Sequence, residues 1–359
     1  MEIREGVPLG PLTTLGLGGP ARWLAEIGDE VELGEALAWA VSRRAVLHVL
    51  GGGSNLVVAD GGVDGLVLRV GLTGVRAESR GGEVLATAAA GETWDSFVAR
   101  CVEEGWQGVE CLSGIPGTVG GTPIQNVGAY GQEVAAVIRR VRVMDLASGA
   151  VRELAAGECG FGYRSSAFRA LPGQLAVLAV TFALRPGGAP EVRYPELRRA
   201  LDARRAAPSL AEVRETVLEL RRGKSMVLSA EDPASRSVGS FFVNPVVSRD
   251  EAERLAAAAV VAGVVATPGE VPAHPAPDGK VKLSAAWLIE RAGFPRGTRR
   301  GAVGISPRHA LALVHHGGGS AAALVALARD IRAAVRARFA VDLQPEPVFW
   351  GFASGDPTA

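Results

Sequence analysis

The chain has 359 residues, enough for two or three domains at roughly 100–200 residues each. With 48% apolar and 21% charged residues, it has the composition of a globular protein with a large core. Its 38 basic and 38 acidic residues cancel, which argues against a nucleic-acid-binding or anionic-membrane-binding surface and leaves room for a locally basic pocket.

The longest apolar run, 255–266, is well short of the about 20 residues that span a bilayer. Met1-Glu2-Ile3-Arg4-Glu5 lacks the charged-then-apolar order of a secretory signal. Cys101, Cys111 and Cys159 form no CxxC pair, and their odd number argues against a disulfide framework, so a reducing cytoplasm is expected. Glycine is abundant, 47 of 359 or about 13% against a usual 7% or so. It is neither periodic nor continuous, which excludes collagen and disorder.

In chain order, apolar runs at 45–50, 56–58, 65–70 and 83–88 predict strands, broken by turns at 51–55 and 60–62. Residues 93–104 predict a helix with Thr93 as N-cap and Trp94, Phe97, Val98 and Cys101 on one stripe. The Gly-rich stretch 105–131 follows. A connection of this length in a compact domain is either functional or disordered, and its Ile115, Val119, Ile124 and Val127 favour order. Strands return at 140–145 and 175–183. The composition shifts at 185–190, and Arg-rich helical sequence runs over 194–222. Ser248 to Glu251 reads as a capping box. The last helix covers about 321–339, with Leu324, Leu327, Ile331, Val335 and Phe339 at helical spacing and Ser320 as its cap. No internal repeat is visible. The pattern is α+β, strand-rich first and more helical later.

Gly51-Gly52-Gly53-Ser54-Asn55 follows a strand and returns at once to another, so it is neither a dinucleotide fingerprint, which opens a helix, nor a Walker loop. Close approach to a phosphate and a plain hairpin turn are both open for it. Gly223-Lys224-Ser225 resembles a Walker tail, but Leu218 stands where the upstream glycine belongs. The Gly317-Gly318-Gly319-Ser320 copy reads as a helix cap. In the 114–131 stretch, glycines allow backbone amides to converge, and Gln125 and Asn126 add donors and acceptors suited to a flavin ring. A structural loop is the equal alternative there. His309, His315 and His316 lack the cysteine or acidic partners of a metal site, and no metal is expected.

Six motifs occur in register: Gly51 to Asn55, Gly114 to Gly121 with Gln125 to Gly131, Tyr163 to Phe168, Gly239 to Pro245, Ala285 to Ile289, and Pro345-Glu346-Pro347. Together they closely resemble the UDP-N-acetylenolpyruvoylglucosamine reductases, over about 13–351. The resemblance implies a two-subdomain FAD-binding fold of the vanillyl-alcohol-oxidase (PCMH) type followed by an α+β substrate-binding domain. Boundaries of 1–60 (with 340–359 packing on it) and 61–190 for the FAD subdomains, and 205–340 for the substrate domain, are expected. It implies non-covalent FAD, NADPH as co-substrate, and reduction of the enolpyruvyl group of a UDP-sugar to UDP-N-acetylmuramate in peptidoglycan synthesis. A cytoplasmic monomer without nucleic-acid or membrane partners is expected. The alternatives are another flavoprotein oxidoreductase of the same fold and a catalytically silent nucleotide-binding protein.

Carried over onto this chain, the catalytic residues are Arg164 to hold the carboxylate and developing charge, Ser240 to donate the proton, and Glu346 to polarise the intermediate beside Arg164. The cofactor residues are Gly51, Gly52, Gly53, Ser54, Asn55, Ile115, Thr118, Gly121, Gln125, Asn126, Gly128, Ala129 and Tyr130. The substrate residues are Tyr163, Tyr194, Lys224, Asn244, His274 and His309. His274 stands where some relatives carry an aromatic residue, His309 where others carry glutamine, and Arg296 near a lysine position.

Overall fold

The structure is a computed structural model describing residues 1–202, 207–353 and 355–359. Part of the predicted helical stretch, and the expected start of the substrate domain at 205, lie outside the described residues. The chain forms two compact units. The first comprises Met1–Pro8, Pro20–Ser54 and Val63–Leu228, the second Leu9–Gly19, Asn55–Gly62 and Ser229–Ala359.

The first unit opens with β1 (Ile3–Pro8), β2 (Pro20–Ile27), α1 (Glu30–Arg43) and β3 (Leu47–Leu50). After β4 (Leu56–Val58), which belongs to the second unit, β5 (Val63–Val70) completes a four-stranded sheet ordered β1-β2-β5-β3. β5 is parallel to both its neighbours and buried except at Asp64 and Arg69, the apolar pattern of a strand covered on two faces. α1 starts at Asp29, whose carboxylate accepts the Glu32 N–H at 2.8 Å, and buries Leu33, Ala36, Leu37 and Ala40.

The second sheet is antiparallel. Its members are β6 (Val75–Arg80), β7 (Glu83–Ala89) and, after α2 (Trp94–Glu103), β8 (Trp106–Gln107). The short hairpin β9 (Gly128–Ala129) and β10 (Gln132–Glu133) precedes β11 (Ile138–Asp145), β12 (Val151–Ala155), α3 (Ala167–Ala170) and β13 (Leu175–Pro186). The order is β12-β11-β13-β7-β6, with β8 also paired to β13. β7 alternates, burying Val84, Ala86 and Ala88, as a sheet with one core face requires. The predicted α2 stripe is buried, and the Trp94, Phe97 and Phe182 rings meet with centroids within 5.8 Å. Phe97→Ala would cost about 3–5 kcal/mol by opening that cluster. α4 (Pro195–Asp202) and α5 (Leu210–Gly223) pack Leu197, Leu201, Val213 and Val217 with Cys111.

The second unit holds β14 (Val246–Val247), α6 (Arg249–Val261), β15 (Ala273–Pro275), β16 (Val281–Leu283), α7 (Ala285–Arg291), β17 (Arg299–Arg300), β18 (Val303–Ile305), β19 (Leu313–His315), α8 (Ala321–Phe339) and β20 (Val348–Trp350). Two three-stranded antiparallel sheets, β14-β16-β15 and β17-β18-β19, share a core with α6, α7 and α8. β20 pairs in parallel with β4. The capping box at Ser248 forms as expected, with Glu251 accepting the Ser248 N–H at 2.8 Å. α8 has its predicted bounds and a doubled N-cap. Ser320 Oγ accepts the Ala323 N–H at 3.1 Å, while the Asp60 carboxylate accepts the Ala321 and Ala322 N–H groups at 2.8 and 2.9 Å.

Candidate active site

In the first unit, two glycine loops lie backbone against backbone. A methyl group added at Gly52 would sit 2.6 Å from Gly117 Cα, one at Gly51 2.8 Å from Thr118 Oγ1, and one at Gly117 2.7 Å from Ser54 Oγ. Backbone approach requires glycine at Gly52, and a φ of +122° favours it at Gly117. Gly121, by contrast, faces open space. The start of α2 secures the 112–118 segment. Trp94 Nε1 donates to Leu112 O at 3.0 Å, Trp94 N–H to Gly117 O at 3.0 Å, and Thr93 bridges Thr118. Gly114, at φ +70°, donates its N–H to Asp95 at 2.6 Å, and Arg214 binds the same carboxylate through both nitrogens at 2.7 and 2.9 Å. Ile115, Ile124, Val127 and Ala129 pack against the core, which is why this long connection is ordered.

Arg164 stands at the tip of a tight turn closed by hydrogen bonds between Gly162 and Ser165, and its φ is +52°. Its guanidinium donates to Gly128 O at 2.7 Å and Asn126 O at 3.4 Å. Gln125 accepts from Arg169 at 2.8 Å. The sequence reading offers the Asn126 amide to a ligand, but here it bonds within the protein, to Glu133 at 2.9 Å, Gly162 O at 3.0 Å and the Ala135 N–H at 3.1 Å. Tyr163, exposed, has its ring 5.6 Å from the Arg164 guanidinium carbon.

Tyr130, Tyr194 and Lys224 come together. The tyrosine rings meet edge to face at 5.5 Å, and Lys224 Nζ lies 5.8 Å from the Tyr130 ring while donating to Glu196 at 2.6 Å. Burial pushes the Tyr130 phenol up to about 12, against the opposing charge of Arg221, so it stays a neutral donor at physiological pH.

In the second unit, Ser240 follows Gly239, whose φ is +79°, and its Oγ lies 3.4 Å from His309 Nε2. Glu346 N–H donates to Phe241 O at 2.8 Å and Phe242 bridges Pro345, so the Ser240 and Glu346 segments adjoin. Asn55 fastens the same strand, accepting from Val348 N–H at 2.9 Å and donating Nδ2 to Glu346 O at 3.2 Å. Asn244 caps α7 by accepting the Ala285 N–H at 2.9 Å. His274 is exposed on β15 opposite Lys282, and Arg296 binds Glu290 at 3.0 Å. Among the described residues no His, Cys, Asp and Glu group could hold a metal ion. The three cysteines are buried and free, with thiols pushed up by burial to about 12, 12 and 11 for Cys101, Cys111 and Cys159, which leaves them unreactive. Sequence reasoning did not reach Asp95, Glu133, Glu196 or Arg214, since ordinary charged residues in no motif carry no local signal.

Residues 21–155 match the FAD binding domain family, and 232–350 match the family described as UDP-N-acetylenolpyruvoylglucosamine reductase, C-terminal domain. The fold and its loops are thus those of an FAD-dependent oxidoreductase, α+β as expected. The UDP-N-acetylenolpyruvoylglucosamine reductase of Thermobifida fusca is 49% identical over 354 residues, covering 98% of both chains. That of Mycobacterium tuberculosis is 44% identical, covering 98% of this chain and 96% of its own. The crystal structure of the Thermus caldophilus reductase is 27% identical and superimposes with a TM-score of 0.65, over 97% of this chain and all of that one. The chain belongs to the UDP-N-acetylenolpyruvoylglucosamine reductase family.

Proposed function

We propose that Arg164, Ser240 and Glu346 are the catalytic residues with which this chain performs the family's reaction, the NADPH-dependent, FAD-mediated reduction of UDP-N-acetylglucosamine enolpyruvate to UDP-N-acetylmuramate. FAD fits the glycine loops: Gly51, Gly52 and Gly117 keep side chains out of a tightly apposed backbone, and Gly121 leaves open space beside it. Held there, FAD would supply the hydride transfer from NADPH to the enolpyruvyl methylene. The cofactor residues are those of the 51–55 loop together with Ile115, Thr118, Gly121, Gln125, Gly128, Ala129 and Tyr130. Asn126 contributes backbone and a bonded side chain.

Hydride addition leaves an electron pair on the carbon that bears the carboxylate. Arg164 holds that carboxylate and its growing charge through paired donors. Ser240 Oγ–H gives its proton to the same carbon, with His309 beside it to fix the hydroxyl's direction. Glu346 polarises the charge-bearing group. The single observation carrying this assignment is the Phe241–Glu346 backbone bond, which sets the proposed donor and carboxyl on adjoining segments.

Lys224, with Tyr194 and Tyr130, has the chemistry to hold the diphosphate of the UDP-sugar, where Glu196 now takes the ammonium. Tyr163, Asn244 and His274 complete the proposed substrate set. The FAD subdomains of this reading are 1–60, with 340–359 packing on it, and 61–190, and the substrate domain is 205–340; the pairing of β20 with β4 supports the place of the C-terminal residues, while β5 carries the first sheet past the first boundary to Val70. A cytoplasmic monomer without nucleic-acid or membrane partners completes the reading, in keeping with balanced charge and three free thiols. Among the described residues no helix is long and apolar enough to cross a membrane.

Anaerobic stopped-flow measurement of the two half-reactions tests the assignment. Ser240→Ala should leave flavin reduction by NADPH near the parent rate and slow re-oxidation by the enolpyruvyl substrate by about 10²–10⁴-fold. Equal impairment of both halves would remove Ser240 from its role.

A further inference from the structure

We infer that Asn126 is a positioning residue for Arg164, acting through a carboxamide bonded entirely inside the protein. The inference rests on the catalytic reading of Arg164. Asn126 is 2% exposed. Both hydrogens of its Nδ2 are engaged, one by Glu133 Oε2 at 2.9 Å and one by Gly162 O at 3.0 Å, and its Oδ1 accepts the Ala135 N–H at 3.1 Å.

These bonds reach Arg164 by two routes. Gly162 begins the turn that carries the arginine, and Gly162 O accepts from both Asn126 Nδ2 and the Ser165 N–H at 3.2 Å. The Asn126 amide therefore fixes one end of that turn. The other route is through the backbone. With its side chain pinned at φ +48°, Asn126 presents its own carbonyl to Arg164 Nη1 at 3.4 Å, and two residues on Gly128 O takes Nη2 at 2.7 Å. Asparagine tolerates the left-handed region better than most residues. Arg164 itself, at φ +52°, has a conformation disfavoured for a residue with a Cβ, and such a conformation persists only when its surroundings over-determine it. Asn126 supplies that constraint at both the turn and the guanidinium.

Glu133 completes the device. A methyl group added at Gly128 would lie 2.7 Å from Glu133 Cγ and 3.2 Å from Arg164 Nη1, so the acid's stem and the guanidinium converge on one glycine. The carboxylate orients the Asn126 amide by accepting one of its hydrogens.

The test uses the FAD-loaded full chain and both half-reactions. Asn126→Asp sets a carboxylate against the Glu133 carboxylate and Gly162 O. It should slow re-oxidation by the enolpyruvyl substrate by about a hundredfold, the scale of a small misplacement of a reacting group, and slow flavin reduction by NADPH far less. Adding Glu133→Gln restores a donor opposite the introduced carboxylate and should recover about tenfold, the worth of one hydrogen bond. Arg164→Ala is the reference. If it slows re-oxidation and Asn126→Asp does not, the inference fails while the catalytic reading of Arg164 stands. If Arg164→Ala leaves re-oxidation intact, that reading fails. Equal slowing of both halves by Asn126→Asp, or no recovery in the double variant, overturns the inference. Should Asn126→Asp lose its flavin, Glu133→Ala removes one partner of the amide and carries the same test: slower re-oxidation supports the inference, and an unchanged rate overturns it.

Discussion

Asp95 and Arg214 form a two-point ion pair, Oδ1 to Nη1 at 2.7 Å and Oδ2 to Nη2 at 2.9 Å, while Oδ1 also takes the Gly114 N–H at 2.6 Å. One carboxylate thereby joins α2, α5 and the loop assigned to the flavin, and Lys224 is the C-cap of α5. Asp95→Asn should weaken FAD binding about 10–100-fold, since charged hydrogen bonds are worth about 1.5–3 kcal/mol. Fluorescence of released flavin on dilution measures it. Burial raises the Asp95 carboxyl, but the Arg214 and Gly114 hydrogen bonds and the Arg214 and Arg221 charges outweigh it and hold it below its ordinary value. A depressed acid contributes in full above its unfolded value of 3.8 and loses its contribution as pH falls through the lower folded value. The effect of Asp95→Asn should therefore be flat from pH 5 to 8 and shrink only below about 4.

The contact of Ser240 Oγ with His309 Nε2 at 3.4 Å gives the hydroxyl a direction. His309→Ala should slow re-oxidation of the flavin about tenfold, the worth of one hydrogen bond, with the KM for NADPH unchanged. His309→Gln keeps a polar partner and should recover most of the rate. An unaltered re-oxidation rate in His309→Ala would detach the histidine from the chemistry.

Burial lowers the His315 pKa, opposed by a hydrogen bond to the Leu15 backbone and aided by the charges of Arg236 and His316. The native state then binds fewer protons than the unfolded chain in the window just below pH 6.5. Stability is fully present above 6.5 and falls as pH drops through that window. His48 and His316, also lowered chiefly by burial, act in the same sense. Thermal midpoints should decline from pH 7.5 to 5.5, and His315→Gln should flatten part of the slope.

Gly52 and Gly121 separate packing from binding. Gly52→Ala drives a methyl group into Gly117 backbone, and overpacking of this kind costs about 1–3 kcal/mol, so its thermal midpoint should fall and its flavin be lost together. Gly121→Ala meets no atom within 4 Å. Its midpoint without flavin should match the parent, and titration should show weakened FAD binding.

The elements legible in the sequence are those with an uninterrupted period and a cap. α8 repeats large apolar residues behind Ser320, Ser248 with Glu251 marks the start of α6, and α2 has its apolar stripe behind Thr93, which holds the N-cap position without a side-chain capping bond. β1, β2, β6 and α1 gave no such signal. In β1 and β6 nearly every side chain is exposed, and α1 buries only Leu33, Ala36, Leu37 and Ala40 while Val31 and Val41 face outward and Gly34 interrupts it. At the site, Gly52 and Gly117 were readable because a close backbone approach at one and a left-handed φ at the other favour glycine. The grip of Asn126 and Glu133 on Arg164 was not, because it joins segments distant in the chain through residue types common on any surface.

Among the described residues strand β4 pairs with β20 alone, and Asp60 caps the helix that begins at Ala321. Residues 9–19 and 55–62 thus belong to a unit whose bulk lies far downstream in the chain, at Ser229–Ala359. During synthesis β4 and Asp60 wait without these partners until β20 and the start of α8 have been made, so these two contacts form late. A truncation that removes β20 strips the edge from a strand nearly three hundred residues upstream, and such chains should accumulate as aggregates rather than as a shortened enzyme.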